Sequence, residues 1–200
     1  MSHYVISRYN HDISWIADYA GTDYTLYDRS EKSIPGSIVV PNIGSDLYDK
    51  FTFIIDNYDS LPAVGIYTKC NLFKYITKEE FDKVKDNKTF TPLLTMHHKV
   101  YEPVCRYVDG IYEEINNKWY LAPHPCKSKT TEMELMVILD LIDREYVRFA
   151  PGSNYILPKE NILKHSKKFY EILRSYLEWD KYPGEAQIME RGLYTLWNIP

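Results

Sequence analysis

Apolar positions fall in short blocks separated by polar clusters. Residues 3–8 form the first block and predict a short buried strand. A polar run, Ser7-Arg8-Tyr9-Asn10-His11-Asp12, follows at once, and Ile13, Trp15 and Ile16 then predict a turn of helix over 13–19. "DYTLYD" (23–28) alternates and predicts a second strand; the β-branched run "SIVVP" (37–41) predicts a third. Leu47, Phe51, Ile54, Ile55 and Tyr58 recur at helical spacing, with Asp46 able to charge the start and Pro62 barring continuation. "AVGIYT" (63–68) predicts a fourth strand. Short apolar strands alternating with an amphipathic helix imply a mixed, mostly parallel central sheet flanked by helices, an α/β fold.

Beyond residue 70 the pattern predicts a short helix at 79–84, a strand at 90–96, and a hairpin over 111–121 turning at Asn116-Asn117. Thr131 and Glu134 fit a capping box, and the following "LMVILDLI" is apolar almost all round, as in a buried helix. "YVRFA" and "NYILP" flank Pro151-Gly152 as two short strands or a loop pair. Residues 159–179 predict one amphipathic helix, with Ile162, Phe169, Leu173, Tyr176 and Leu177 on a face. Residues 185–197 predict another, with Met189, Leu193 and Leu196 inside. No internal repeat or low-complexity linker interrupts the chain, so residues 1–200 are expected to form one domain.

Composition changes this picture little. The 200 residues are 44% hydrophobic and 26% charged, ordinary for a globular protein. The 19 tyrosines suit stacking on sugars or bases, and equally fit codon bias in an AT-rich genome. A formal net charge of −4 argues against nucleic acid as a partner. Cys70, Cys105 and Cys126 are odd in number and far apart, with no CxxC, which disfavours a thiolate zinc site and fits a reduced compartment, the cytoplasm. No signal-like segment or long apolar run predicts secretion or a membrane span. Trp197-Asn198-Ile199-Pro200 fits either a natural end or a domain cut from a longer multidomain protein.

In open α/β sheets, ligands bind beyond the carboxyl ends of the parallel strands. Four polar clusters lie just past the four predicted strands. They are Arg8, Tyr9, Asn10 and Asp12; Asp28-Arg29-Ser30; Asn42 through Asp46; and Thr68-Lys69-Cys70-Asn71. If the strands run the same way, these clusters share one crevice. The Asn42-Ile43-Gly44-Ser45-Asp46 turn opens a helix and could offer backbone N–H groups to an anion. The dinucleotide fingerprint GxGxxG, the P-loop, the GxSxG elbow and HExxH are all absent. His97 and His98 are adjacent and would face opposite sides of a strand, which disfavours shared metal binding. Glu185 follows Pro183-Gly184 at a helix start, where it is either a favourable terminal charge or a general base. Arg191, beside Glu190, is either a phosphate clamp or an ion-pair partner.

"SRYNHDISWI", "VVPNIGSDLYDKFTFIIDNYDSLP" and "FAPGSNYILPKENILKHSKKFYEIL…YPGEAQIMERGLYTLW" resemble a glycosyltransferase-like family of unknown-function proteins. That family carries RYNEDLSWL, PNVGRE, IIDNYDNLP and GExxxxER patterns in the same order over nearly the whole chain. Size and layout are also similar to a chlorella-virus glycosyltransferase domain of the GT-A fold, which would place the protein in the host cytoplasm. The resemblance implies a GT-A, Rossmann-like sheet and transfer of a hexose from a nucleotide-sugar donor, a UDP-sugar such as UDP-glucose, to a glycan or glycoprotein acceptor. Residues about 1–72 would form the nucleotide-sugar-binding part and 73–200 the acceptor side. Arg8, Asn10 and Asp12 would lie on the nucleotide side and Gly44 and Asp46 near the donor. Glu185, Glu190 and Arg191 would lie on the acceptor or phosphate side.

Two departures matter. The family's Gly-Arg-Glu is Gly44-Ser45-Asp46 here, and its Phe-Leu-Gln-Gly is Tyr67-Thr68-Lys69-Cys70. GT-A enzymes usually hold Mn²⁺ or Mg²⁺ on the diphosphate with Asp-x-Asp, and no Asp-x-Asp occurs anywhere in this sequence. Either a lone carboxylate, Asp28 or Asp46, helps hold a metal, or a cation replaces it, and Lys69 is the best-placed cation. Tyr9 or Tyr27 would stack on the base, and Glu185 would deprotonate the acceptor. The rival expectations are a non-catalytic nucleotide-sugar or glycan-binding module on the same fold, a two-carboxylate glycoside hydrolase, and a structural interaction domain.

Overall fold

A computed structural model describes residues 2–95 and 100–198. Its main sheet has six strands: β1 (His3–Arg8), β2 (Tyr24–Asp28), β3 (Ile38–Val39), β4 (Val64–Lys69), β5 (Thr91–Pro92) and β9 (Tyr155–Pro158). Their order is β3-β2-β1-β4-β9-β5. β1 through β4 run parallel, and β9 enters antiparallel to both β4 and β5. The expected mixed, mostly parallel sheet is therefore present.

Alternation along β1 assigns its side chains to two cores. Val5, with Tyr27 and Tyr67, packs under α2 (Ser45–Asp56), α6 (Lys167–Ser175) and α7 (Gly184–Trp197). Tyr4 and Ile6, with Leu26, Ile66 and Ile156, pack on the other face against α1 (Ser14–Tyr19) and α3 (Lys78–Val84). Both faces are covered, which is why β1 and β4 read as continuous apolar blocks. On α2, Leu47, Phe51 and Ile54 are almost wholly buried, each contributing about 1.5–3 kcal/mol of transfer free energy. β3 is only two residues long, and both are exposed at the sheet edge.

A second, antiparallel sheet joins β6 (Cys105–Val108), β7 (Ile111–Ile115) and β8 (Tyr146–Arg148) in that order. The expected hairpin at Asn116-Asn117 is displaced. The chain turns instead at Asp109-Gly110, whose φ values of 53° and 77° give the left-handed pair a two-residue hairpin turn needs. β7 then pairs with β8, and Trp119–Leu121 forms a single 3-10 turn. "YVRFA" and "NYILP" do give strands, but in different sheets.

Three helical expectations also shift. The capping box of α4 (Lys129–Ile138) joins Ser128 to Thr131, one turn before the expected one, since the Ser128 hydroxyl reaches the Thr131 N–H. α4 is not buried all round: Leu135 and Met136 are buried, Val137 and Ile138 exposed. The single helix expected over 159–179 is broken into α5 (Lys159–Ile162) and α6, because Ser166 caps α6 through the Phe169 N–H. Among the described residues, no helix is long and apolar enough to cross a membrane.

Candidate functional site

Parallel register fixes the geometry at the carboxyl edge of the main sheet. Arg8 lies beside Asp28, and Ser7 beside Lys69. α2 starts at the same edge and brings Asp46 above Ser7, whose hydroxyl donates to the Asp46 carbonyl at 3.4 Å. Arg8, Tyr9, Asn42, Asp46 and Lys69 line one cavity of about 170 Å³, with Arg29 and Tyr182. A second cavity of about 270 Å³ shares Asp46 and Lys69 with the first and adds Ser153 and Glu190. A third, of about 740 Å³, shares Glu190 with the second and contains Arg191, Glu114 and Trp119. Tyr75 lines all three, so the cavities adjoin along one cleft-like edge of the sheet.

The cleft floor is a charge network that the sequence reading did not foresee. Lys50 is fully buried, donating to Asp46 Oδ2 at 2.6 Å and to Ser153 Oγ at 2.7 Å. The Ser153 hydroxyl also donates to Asp46. Lys69 Nζ approaches Asp46 Oδ1 at 3.1 Å from the cleft side. Two ammonium groups thus share one carboxylate. Burial penalises the Asp46 charge, but Lys50 and Lys69 outweigh it and hold the carboxyl far below its ordinary range. Burial also opposes the Lys69 charge, and Asp46 and Glu190 outweigh it, raising Lys69 above the usual lysine value.

Asp28 is fully buried beneath Arg8. It accepts hydrogen bonds from Arg8 Nη1 at 2.7 Å and from the Ser30 and Ile34 N–H groups. It aims Arg8 and does not line the cleft cavities. Neither metal candidate, Asp28 or Asp46, is free of cationic and N–H donors. Among the described residues, no group of three His, Cys, Asp or Glu side chains is placed to hold a metal ion. Among the described residues, the surroundings of Asp28 and Asp46 do not fit a divalent-metal site.

Other expected residues hold the frame. Asn10 takes a left-handed φ of 55° and donates its N–H to Ser30 Oγ. Asp12 accepts from the Ser14 N–H at the start of α1. The Gly44 and Ser45 N–H groups donate to the Asp180 and Lys181 carbonyls, so they are not offered to an anion. Gly44 is also tightly packed: a Cβ there would meet Leu177 Cβ at 2.7 Å. Tyr27 is buried in the core and cannot stack on a base, whereas half-buried Tyr9 lines the first cavity. His97 and His98 lie outside the described residues.

Glu185 is corrected most sharply. It is fully buried and accepts from the Lys127 N–H, the Thr131 hydroxyl and the Trp179 indole N–H. It ties the start of α7 to the start of α4 and does not line the cleft, so it is no general base there. Glu190, one turn on, faces the cleft instead. Arg191 lines the largest cavity as a held cation: its Nε donates to Glu114 Oε1 at 2.8 Å, and its guanidinium lies 3.6 Å from the Tyr120 ring centroid.

A second buried pair, Arg29 and Asp49, approaches to 2.5 Å beneath the first cavity. Burial pushes the Asp49 carboxyl up to about 6 against the attraction of Arg29. Its folded value lies above the unfolded 3.8, so between the two the folded state holds a proton the unfolded chain has lost. The contribution of Asp49 to stability is therefore greatest at low pH and falls as pH rises from 3.8 to about 6. Carboxyl NMR is expected to show one aspartate titrating near 6, and Asp49→Asn should remove it along with that decline in urea-unfolding stability. An Asp49 signal titrating with the ordinary aspartates would contradict this.

Comparison of the chain with protein-family models, with curated proteins and with solved structures finds no match.

Proposed function

We propose that this chain is a glycosyltransferase that moves a hexose from a nucleotide-sugar donor, of the UDP-glucose type, to a glycan or glycoprotein acceptor. The observation that carries the reading is Lys69: an ammonium at the carboxyl edge of a parallel sheet, held charged, facing a cleft large enough for two substrates. A mostly parallel sheet with its strand ends gathered on one cleft also suits a GT-A fold.

Tyr9 offers the base a stacking face at the mouth, and Arg8, fixed by Asp28, points a guanidinium at the same cavity. The diphosphate would lie over Lys69. As the bond from the anomeric carbon to the diphosphate oxygen breaks, negative charge grows on that oxygen, and a fixed ammonium stabilises it most in that state. Asp46 and Lys50 hold the ammonium in place, so little reorganisation is needed.

The binding-module reading draws on the same geometry, because the carboxylate singled out as a base, Glu185, is sealed in the core. A thermal-shift panel of UDP-, GDP- and dTDP-sugars, each with and without Mn²⁺, followed by assay of released nucleotide, separates the two. A donor at ~100-fold over its dissociation constant should stabilise by about 2.7 kcal/mol. Stabilisation with nucleotide release supports the transferase. Stabilisation without release favours a nucleotide-sugar-binding module, and no shift with any nucleotide rejects both the transferase and that module.

A further inference from the structure

The donor reading leaves the largest cavity in the cleft unused. Its size, about 740 Å³, falls within the roughly 300–1,000 Å³ usual for small-molecule sites. Its lining combines exposed aromatic faces with charges that are already fixed. Lys118 takes a left-handed φ of 61°, and the short 3-10 turn after it sends Tyr120 inward and leaves Trp119 half exposed. Tyr120 lies under the Arg191 guanidinium, which Glu114 pins in place. Glu190 stands where this cavity opens toward Lys69: its Oε1 accepts the Gly152 N–H at 2.8 Å. Its Oε2 accepts no hydrogen bond among the described residues, the Arg191 guanidinium standing 3.8 Å off.

We infer that this cavity is the acceptor subsite, that it takes a pyranose ring of a glycan, and that Glu190 receives the proton of the attacking hydroxyl. A pyranose has one C–H-rich face and a rim of hydroxyls. An exposed indole suits the face, and a fixed Arg–Glu pair suits the rim. The inference rests on the transferase reading for its chemical step. There the acceptor oxygen bonds to the anomeric carbon as the bond to the diphosphate breaks. The bonding pair leaves with the diphosphate oxygen beside Lys69, and the hydroxyl proton passes to Glu190 Oε2. Atoms and charge balance with no further reactant.

The test uses the intact chain and the methyl pyranosides of glucose, galactose, mannose and xylose as probes, with binding read by saturation-transfer NMR. At least one glycoside is expected to bind, and Trp119→Ala should weaken it about tenfold, the loss of one aromatic contact, with the UDP-glucose thermal shift unchanged. Glu190→Gln should keep glycoside binding within about twofold yet slow UDP release in the presence of acceptor by roughly 10²–10⁴-fold. Glycoside binding that ignores Trp119→Ala, no glycoside binding at all, or a serine-rich peptide displacing the glycoside overturns the subsite. UDP release by Glu190→Gln at the wild-type rate overturns the proton step. If glycosides bind as expected but no nucleotide sugar does, the donor reading fails and the carbohydrate subsite stands.

Discussion

Asp46→Asn is expected to lower the free energy of unfolding by about 3–5 kcal/mol, the usual cost of removing one partner from a buried ion pair. Lys50 has no exposed surface, and its ammonium is placed by Asp46 and by the carbonyl and hydroxyl of Ser153. An amide at residue 46 keeps the shape and leaves that charge without its counter-ion. Lys50→Met should cost less, since Asp46 would keep Lys69 as a partner. Urea unfolding of the two variants beside the parent measures this, and a loss below about 1 kcal/mol for Asp46→Asn would mean the pair is not a buried one in solution. The pH dependence has a definite sign. Lys50 and Lys69 hold the Asp46 carboxyl below its unfolded value despite burial. Its contribution is therefore complete above the unfolded value of 3.8 and is lost as pH falls from there toward the folded one. The stability of Asp46→Asn should be correspondingly flatter in acid, the opposite of what is expected at Asp49.

The sequence disclosed the frame of this site better than its contents. Strand blocks at 3–8, 23–28 and 63–68 and the helix beginning near Asp46 were legible because each carries one strong period and buries the face that period marks. The exits of those strands were legible for the same reason, and Arg8, Tyr9, Asn42, Asp46 and Lys69 do line one cavity. The second half was harder to read. Asp109-Gly110 carried the stronger hairpin signal, but the alternation of 111–121 drew the turn to Asn116-Asn117. Residues 159–179 keep a helical period across the break at Ser166, because α5 and α6 bury apolar residues against the same core. Glu185 and Glu190 could not be ranked from sequence. Only the fold shows that Lys127, Thr131 and Trp179 close over the first and that the second faces the cleft. Lys50 did leave a trace: a lysine four residues after Asp46, on a turn of helix otherwise given to Leu47 and Phe51. A charge there is either solvated or paired, and burial decides for pairing.

On the transferase reading, Lys69→Ala is expected to lose most of its turnover. A preorganised group acting on charge that develops in the transition state is worth about 10²–10³-fold in kcat, and that is the loss anticipated for transfer from a UDP-sugar, with donor KM changing much less. The fold should tolerate the change. Lys69 reaches Asp46 from the cleft side and keeps about a quarter of its side chain exposed, while Lys50 remains as the buried counter-ion. Thermal unfolding of Lys69→Ala is therefore expected to stay near that of the parent, unlike Asp46→Asn. Asp46 and Glu190 raise Lys69 above 10.5 although burial opposes it, so the ammonium stays charged through the neutral range and cannot supply an alkaline limb there. Any such limb must come from another group and should survive in Lys69→Arg. Assay in EDTA and again with Mn²⁺ completes the comparison. If the Ala variant turns over at the parental rate in EDTA, the ammonium has no part in leaving-group departure. If Mn²⁺ restores the variant alone, a metal can stand where the ammonium stood, and the charge itself is what the leaving diphosphate requires.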